Sequence, residues 1–112
     1  MDKAIELIEN LAVKPQEIRG KIKDNEIIVA SKPFMKYVRS CEILLRNKNL
    51  KIISIRGRGM NIGKAVDLAE AVKHKFCADL NLNTSVSTST EKFIKDDREF
   101  SISVIELNLR RL

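Results

Sequence analysis

The chain reads as a two-layer α+β domain of order β-α-β-α-β-β, carrying an added N-terminal helix. Three observations predict it. Two short β-branched runs are each followed by a segment whose apolar residues recur at three- and four-residue steps, and the last third of the chain changes to a period of two. Each helical segment has one apolar stripe, and a single sheet that covers both stripes is the simplest closed arrangement. A length of 112 residues suits one domain.

In residues 3–12, Ile5, Ile8, Leu11 and Ala12 fall on one side of a short helix, which Lys14-Pro15 ends because the residue before proline avoids helical angles. Residues 16–25 read equally as a linker or a short irregular strand. Together 1–25 form an N-terminal extension, and 26–112 form the main domain. Its first strand is Ile27-Ile28-Val29-Ala30, and Ser31-Lys32-Pro33 opens a helix with proline suited to the first helical position. Phe34, Tyr37, Val38, Cys41, Leu44 and Leu45 give that helix one apolar face from about 33 to 46, with Lys36, Arg39 and Arg46 largely on the other side.

After the turn Asn47-Lys48-Asn49, Leu50 to Ile55 reads as the second strand. A second helix over roughly 62–77 has Ile62, Ala65, Val66, Ala69, Val72 and Phe76 as its stripe. Leu82 to Thr90 and Phe100 to Arg110 read as the last two strands, joined by a charged hairpin loop over 91–99. The alternation slips at Val104-Ile105, which predicts either a bulge or a strand buried on both faces.

The formal charge of +6 is unevenly placed. Residues 1–25 are neutral, 26–64 carry nine basic and two acidic side chains, and 65–112 have a net charge of −1. A merely solubilising surface would be mixed in sign, so charge focused in this way points to a polyanionic partner. With 4% aromatic residues and no Trp, a stacking platform for single-stranded bases is poorly provided for. No apolar run approaches membrane-spanning length, and Asp2 and Glu6 do not suit a secretory signal, so a cytoplasmic location is expected. Cys41 and Cys77, far apart and at apolar helix positions, are expected to be buried thiols.

The basic segment ends in Arg56-Gly57-Arg58-Gly59-Met60-Asn61-Ile62-Gly63-Lys64, read as a loop between a strand and a helix. The glycine spacing G-x-G-x-x-x-G is one residue too long for the dinucleotide fingerprint. A phosphate loop would need glycine where Arg58 stands and Ser or Thr where Ala65 stands. Neither nucleotide motif is met. Arg56 and Arg58 alternate and so share a face, while Lys64 adds a cation near a helix N-terminus that itself attracts phosphate. If both strand-to-helix corners lie at one end of the sheet, Lys32 and Lys36 join the same patch.

Ser31-Lys32-Pro33-Phe34-Met35-Lys36-Tyr37-Val38, then Ile55-Arg56-Gly57-Arg58, then Ile62-Gly63-Lys64-Ala65-Val66-Asp67 resemble, in order and separation, the Alba family of archaeal chromatin and RNA-binding proteins. The resemblance covers about 26–110. It implies a fold similar to the C-terminal domain of translation initiation factor three, a homodimer or a heterodimer with a paralogue, and backbone-directed binding of double-stranded DNA or RNA by a chromosome-associated protein. It places phosphate contacts at Lys32, Arg56 and Arg58, makes Lys32 a candidate for acetylation, and sets the 91–99 hairpin, with Lys92, Lys95 and Arg98, along the minor groove. Gly57, Gly59 and Asn61 complete the expected loop.

Three departures are visible. Ser31 stands where many members have a second lysine, Gly59-Met60-Asn61 lengthens the loop by about two residues, and Glu91, Asp96, Asp97 and Glu99 make the hairpin net negative. Phe76, at a position used for contacts between dimers in the family, reads equally as core.

An RNA-directed relative, of the ribonuclease P or messenger-associated kind, keeps the same patch. An enzyme or small-phosphate-binding module using the glycines would need a base or a metal set. His74 sits on a polar part of the second helix without a set of ligands at helical spacing, and Asp67 and Glu70 read as surface carboxylates. No metal or cofactor is expected.

Overall fold

The computed structural model describes residues 23–112. The expected 3–12 helix and its stop at Lys14-Pro15 lie outside the described residues. Within them the order is β1 (Glu26–Val29), α1 (Phe34–Glu42), β2 (Ile52–Arg58), α2 (Ile62–Ala71), β3 (Leu82–Lys95) and β4 (Arg98–Arg111). Each helix is prolonged by a wider π turn, Ile43–Asn47 after α1 and Val72–Phe76 after α2. The predicted α+β class and element order hold, with Pro33 just outside α1 as its N-cap rather than inside it.

The strands form one sheet in the order β1-β2-β4-β3. β1 and β2 are parallel, so both strand-to-helix corners lie at the same end of the sheet. β4 runs antiparallel to both neighbours, pairing Ile55 with Leu107 and Val86 with Leu107 across its two edges. Ile27, Val29, Ile53, Ile55, Ile105, Leu107 and Leu109 line the helix-facing side and pack against Val38, Leu45, Leu68 and Val72 from the helices. Burying this β-branched and leucine-rich layer supplies the main stabilisation of so aromatic-poor a chain. Phe76 is partly buried against this core.

The slip at Val104-Ile105 is a strand buried on both faces. Ile102 and Val104 are 3% and 1% exposed on the side away from the helix-facing core, while the pairing with β3 runs without interruption through Ser103, Val104 and Ile105. The predicted 91–99 loop is corrected. β3 and β4 continue through it as a long two-stranded arm, closed by Asp96-Asp97, whose φ angles of 52° and 58° suit a two-residue hairpin turn of the type that matches strand twist. Sequence patterning does not announce the arm because its charged residues lack a buried face to impose alternation.

Cys41 and Cys77 are fully buried thiols, as expected. Burial, reinforced by the neighbouring Cys77, pushes the Cys41 thiol up to about 12. Arg46 joins the ends of the two helices: its guanidinium donates to both Asp79 carboxylate oxygens at 2.9 and 2.7 Å and to the Phe76 carbonyl at 2.9 Å.

Candidate nucleic-acid interface

The Lys-Pro corner is built around Tyr37. One turn inside α1, its hydroxyl oxygen accepts hydrogen bonds from the backbone N–H of Ala30 at 2.8 Å and of Lys32 at 3.1 Å. These are donors that proline and the sharp chain reversal would otherwise leave without a partner. The second corner is tied to the first by Lys64, whose ammonium donates to the carbonyls of Ala30 at 2.8 Å and Lys32 at 2.6 Å and lies 5.1 Å from the centre of the Tyr37 ring. The two corners therefore adjoin, as the parallel order predicted, but Lys64 serves as a strut between them.

The segment expected to be a loop is largely strand. β2 runs through Arg56-Gly57-Arg58, and only Gly59–Asn61 forms a short 3-10 turn. Strand alternation sends Gly57 towards the helices and both arginines to the opposite face of the sheet. A Cβ on Gly57 would stand 2.6 Å from the Asn61 carbonyl oxygen and 2.8 Å from the Ala65 Cβ, so this glycine permits close strand-helix packing rather than approach to a phosphate. Gly59 has φ of 51° and supplies the left-handed step into the turn. Asn61 is half-buried beside it.

Arg56 and Arg58 do share a face, and carboxylates meet them there. Arg56 donates to Glu91 at 2.8 Å and to Glu106 at 3.0 Å, bridging β3 and β4, and an Arg58 guanidinium nitrogen lies 3.8 Å from the second Glu91 oxygen. The arginine side chains are only 13% exposed, and Glu91 14%. Further along the same face, the Ser54 hydroxyl meets the Asn108 side-chain oxygen at 2.8 Å. The arginines are thus fixed at the root of the arm.

The arm sorts its own charges by alternation. Lys95 and Arg98 pair across the strands and share a face with Phe93 and Phe100, whose rings stack at 5.1 Å. Lys92 and Glu99 lie on the other face, 4.0 Å apart and exposed. Glu91, counted in the hairpin's negative charge, is bound to Arg56.

Lys32 and Lys36 are exposed, with no ion pair among the described residues. Between them and the next turn of α1 lies a notch of about 310 Å³ lined by Lys32, Lys36, Tyr37, Arg39, Ser40 and Ile43. Arg39 was absent from the expected site, although its three-residue offset from Lys36 was a readable signal. His74, read without a ligand set, pairs with Glu70 at 3.0 Å one turn earlier, both well exposed. Among the described residues no three His, Cys, Asp or Glu side chains are grouped to hold a metal, and no helix is long and apolar enough to cross a membrane.

A family model described as Alba matches residues 25–89. The chain belongs to the Alba family. The DNA/RNA-binding protein Alba of Methanocella arvoryzae is 37% identical over 90 residues, covering 80% of this chain and 92% of that protein. The DNA/RNA-binding protein Alba of Picrophilus torridus is 36% identical over 89 residues, covering 80% and 98%. Among solved structures, Alba from Thermoplasma volcanium matches with a TM-score of 0.68 at 36% identity over 78% of this chain and all of that one. ALBA1 from Trypanosoma brucei, at 17% identity and a TM-score of 0.63, covers 81% of this chain and 72% of its own and shares the fold. In this Alba chain the Gly59–Asn61 turn leads directly into α2.

Proposed function

We propose that this Alba protein binds the phosphate backbone of double-stranded nucleic acid without sequence preference, as a dimer and in a chromosome-organising role, through its 26–112 domain. The observation that carries the reading is the pair of exposed lysines at a preformed corner: Lys32 stands on a turn held by Tyr37 and Lys64, and Lys36 stands in the first turn of the α1 helix that follows. A positioned cation loses less freedom on binding than a mobile one. Lys32, the lysine before the proline, is the candidate for control by acetylation, which would remove one charge per subunit.

The arm extends the surface. Lys95 and Arg98, beside the stacked Phe93 and Phe100, form its basic face, and Lys92 a second point on the other side. Arg56, with Arg58 beside it and Gly57, Gly59 and Asn61 around them, ties β3 to β4 at the root of the arm and is not itself a phosphate contact. The arginine charges are balanced locally by Glu91 and Glu106. Cations of this kind serve DNA and RNA alike, so duplex DNA and structured RNA are alternative partners of one surface. The DNA/RNA-binding names of the relatives support the shared chemistry.

If a dimer neutralises roughly six to eight phosphates, log affinity should fall against log salt with a slope of about −5 to −7. Titration of the full chain against duplex DNA and folded RNA at several salt concentrations tests this. A flat dependence on both polymers would sink it.

A further inference from the structure

The positive excess of this chain is concentrated in residues 26–64, where nine basic side chains meet only Glu26 and Glu42 in sequence. Folding brings carboxylates from outside the segment to three of the nine and ties a fourth to backbone carbonyls within it. Arg46 is held by Asp79, Arg56 by Glu91 and Glu106, Arg58 lies against Glu91, and Lys64 is held by the carbonyls of Ala30 and Lys32. Lys32, Lys36, Arg39, Lys48 and Lys51 remain exposed, with no ion pair among the described residues. The net field of the segment is therefore not centred where its arginines are densest in sequence.

Three of those five line one feature. Lys32, Lys36 and Arg39 stand on one stripe of α1 and its N-terminal corner, around the 310 Å³ notch whose remaining lining is Tyr37, Ser40 and Ile43. Among the described residues no carboxylate lines it. The adjoining groove of about 350 Å³ shares Lys32 with the notch and is also lined by Lys48, but there Asp24 and Glu26 balance the two lysines, whereas the notch has cations alone. The Ser40 hydroxyl already donates to the Lys36 carbonyl at 3.0 Å, which leaves anion binding to the three cations. From Phe34 to Arg39, α1 rises about 7.5 Å at ~1.5 Å per residue, a length over which one strand of duplex DNA carries about two charges.

We infer that the phosphodiester backbone follows α1 from the Lys-Pro corner across this notch, with Arg39 as a nucleic-acid contact one turn beyond Lys36. This rests on the nucleic-acid reading above and names a path for it. Arg39 can grip one phosphate with two parallel N–H donors, which a lysine cannot do. It is exposed and makes no side-chain hydrogen bond or ion pair among the described residues, so its substitution should leave the domain intact.

The test uses the full chain with a labelled duplex DNA and, separately, a folded RNA hairpin, between about 50 and 200 mM salt. Arg39→Ala is expected to weaken binding ~3- to 10-fold and to reduce the salt slope by about 0.9 for each phosphate it no longer neutralises. Arg39→Lys should recover the slope and part of the affinity. Lys51→Ala, an exposed lysine away from the notch, should match the unaltered chain, and all three variants should keep its melting temperature. If Lys32→Ala weakens binding but Arg39→Ala does not, the α1 path is wrong and the nucleic-acid reading stands. If the unaltered chain shows no salt-dependent binding to either polymer, both fail. Equal losses in Arg39→Ala and Lys51→Ala would also overturn the path, since they would report a diffuse field rather than a track.

Discussion

The α1 stripe and the end of β2 draw their cations from the same stretch of sequence, yet folding gives them opposite surroundings. On α1, Lys32, Lys36 and Arg39 project into solvent around a notch with no carboxylate among its described lining residues. At the end of β2, Arg56 and Arg58 lie almost buried against Glu91 and Glu106. A cation already neutralised in a partly dry site gains little from a phosphate and must first lose its partners. On the proposed reading, local density of arginine is therefore a weaker guide to a phosphate site than the set of cations left after folding has paired the rest.

The largest effect should come from breaking the β2 region. Arg56→Ala removes the bridge between β3 and β4 and leaves two glutamates on a closed surface, so a loss of about 3 kcal/mol is expected in chemical denaturation. A loss below about 1 kcal/mol would place Arg56 with the solvent-facing cations of α1. Next in size, Gly57→Ala should cost about 1–3 kcal/mol, because its new methyl group meets the Asn61 carbonyl and Ala65. Gly63→Ala, whose Cβ would enter open space in α2, should instead be neutral or stabilising by up to ~1 kcal/mol. Equal effects at the two glycines would contradict the packing role of Gly57.

On α1 the expected pattern reverses. Lys36→Ala should change stability by no more than about 0.5 kcal/mol while weakening binding to every duplex sequence alike, since phosphate contacts have no base information. The smallest effect concerns an exposed pair at the far end of the helices. The Arg46 guanidinium holds the Asp79 carboxyl below its ordinary value of 3.8. Its contribution is present above that value and lost as pH falls through the lowered one. Asp79→Asn should therefore lower the melting temperature slightly at neutral pH, with the difference from the unaltered chain vanishing in acid.

Much of this arrangement was legible in the sequence. Ile27 to Ala30 and Leu50 to Ile55 announced strands, the stripe from Phe34 to Leu45 announced a helix, and the slip at Val104-Ile105 announced either a bulge or a strand with two buried faces, of which the structure shows the second. These are local patterns with a period. The state of Arg56 was not legible, because Glu91 and Glu106 lie 35 and 50 residues away and reach it only through the β2-β4-β3 register. Gly57 misled for a related reason: a glycine needed for helix packing and one needed for phosphate approach look the same in sequence. The arm is not announced because Lys92 to Arg98 lacks any apolar alternation, and Arg39 reads in the sequence only as part of the polar side of its helix.

The division between pairing cations and binding cations is tested most directly by one salt-titrated comparison of Lys36→Gln with Arg56→Gln, each measured on duplex DNA well below its melting temperature. Lys36→Gln is expected to reduce the salt slope by about 0.9 for each phosphate left without its cation, while Arg56→Gln keeps the slope of the unaltered chain. A reduced slope for Arg56→Gln with an unchanged one for Lys36→Gln would contradict it.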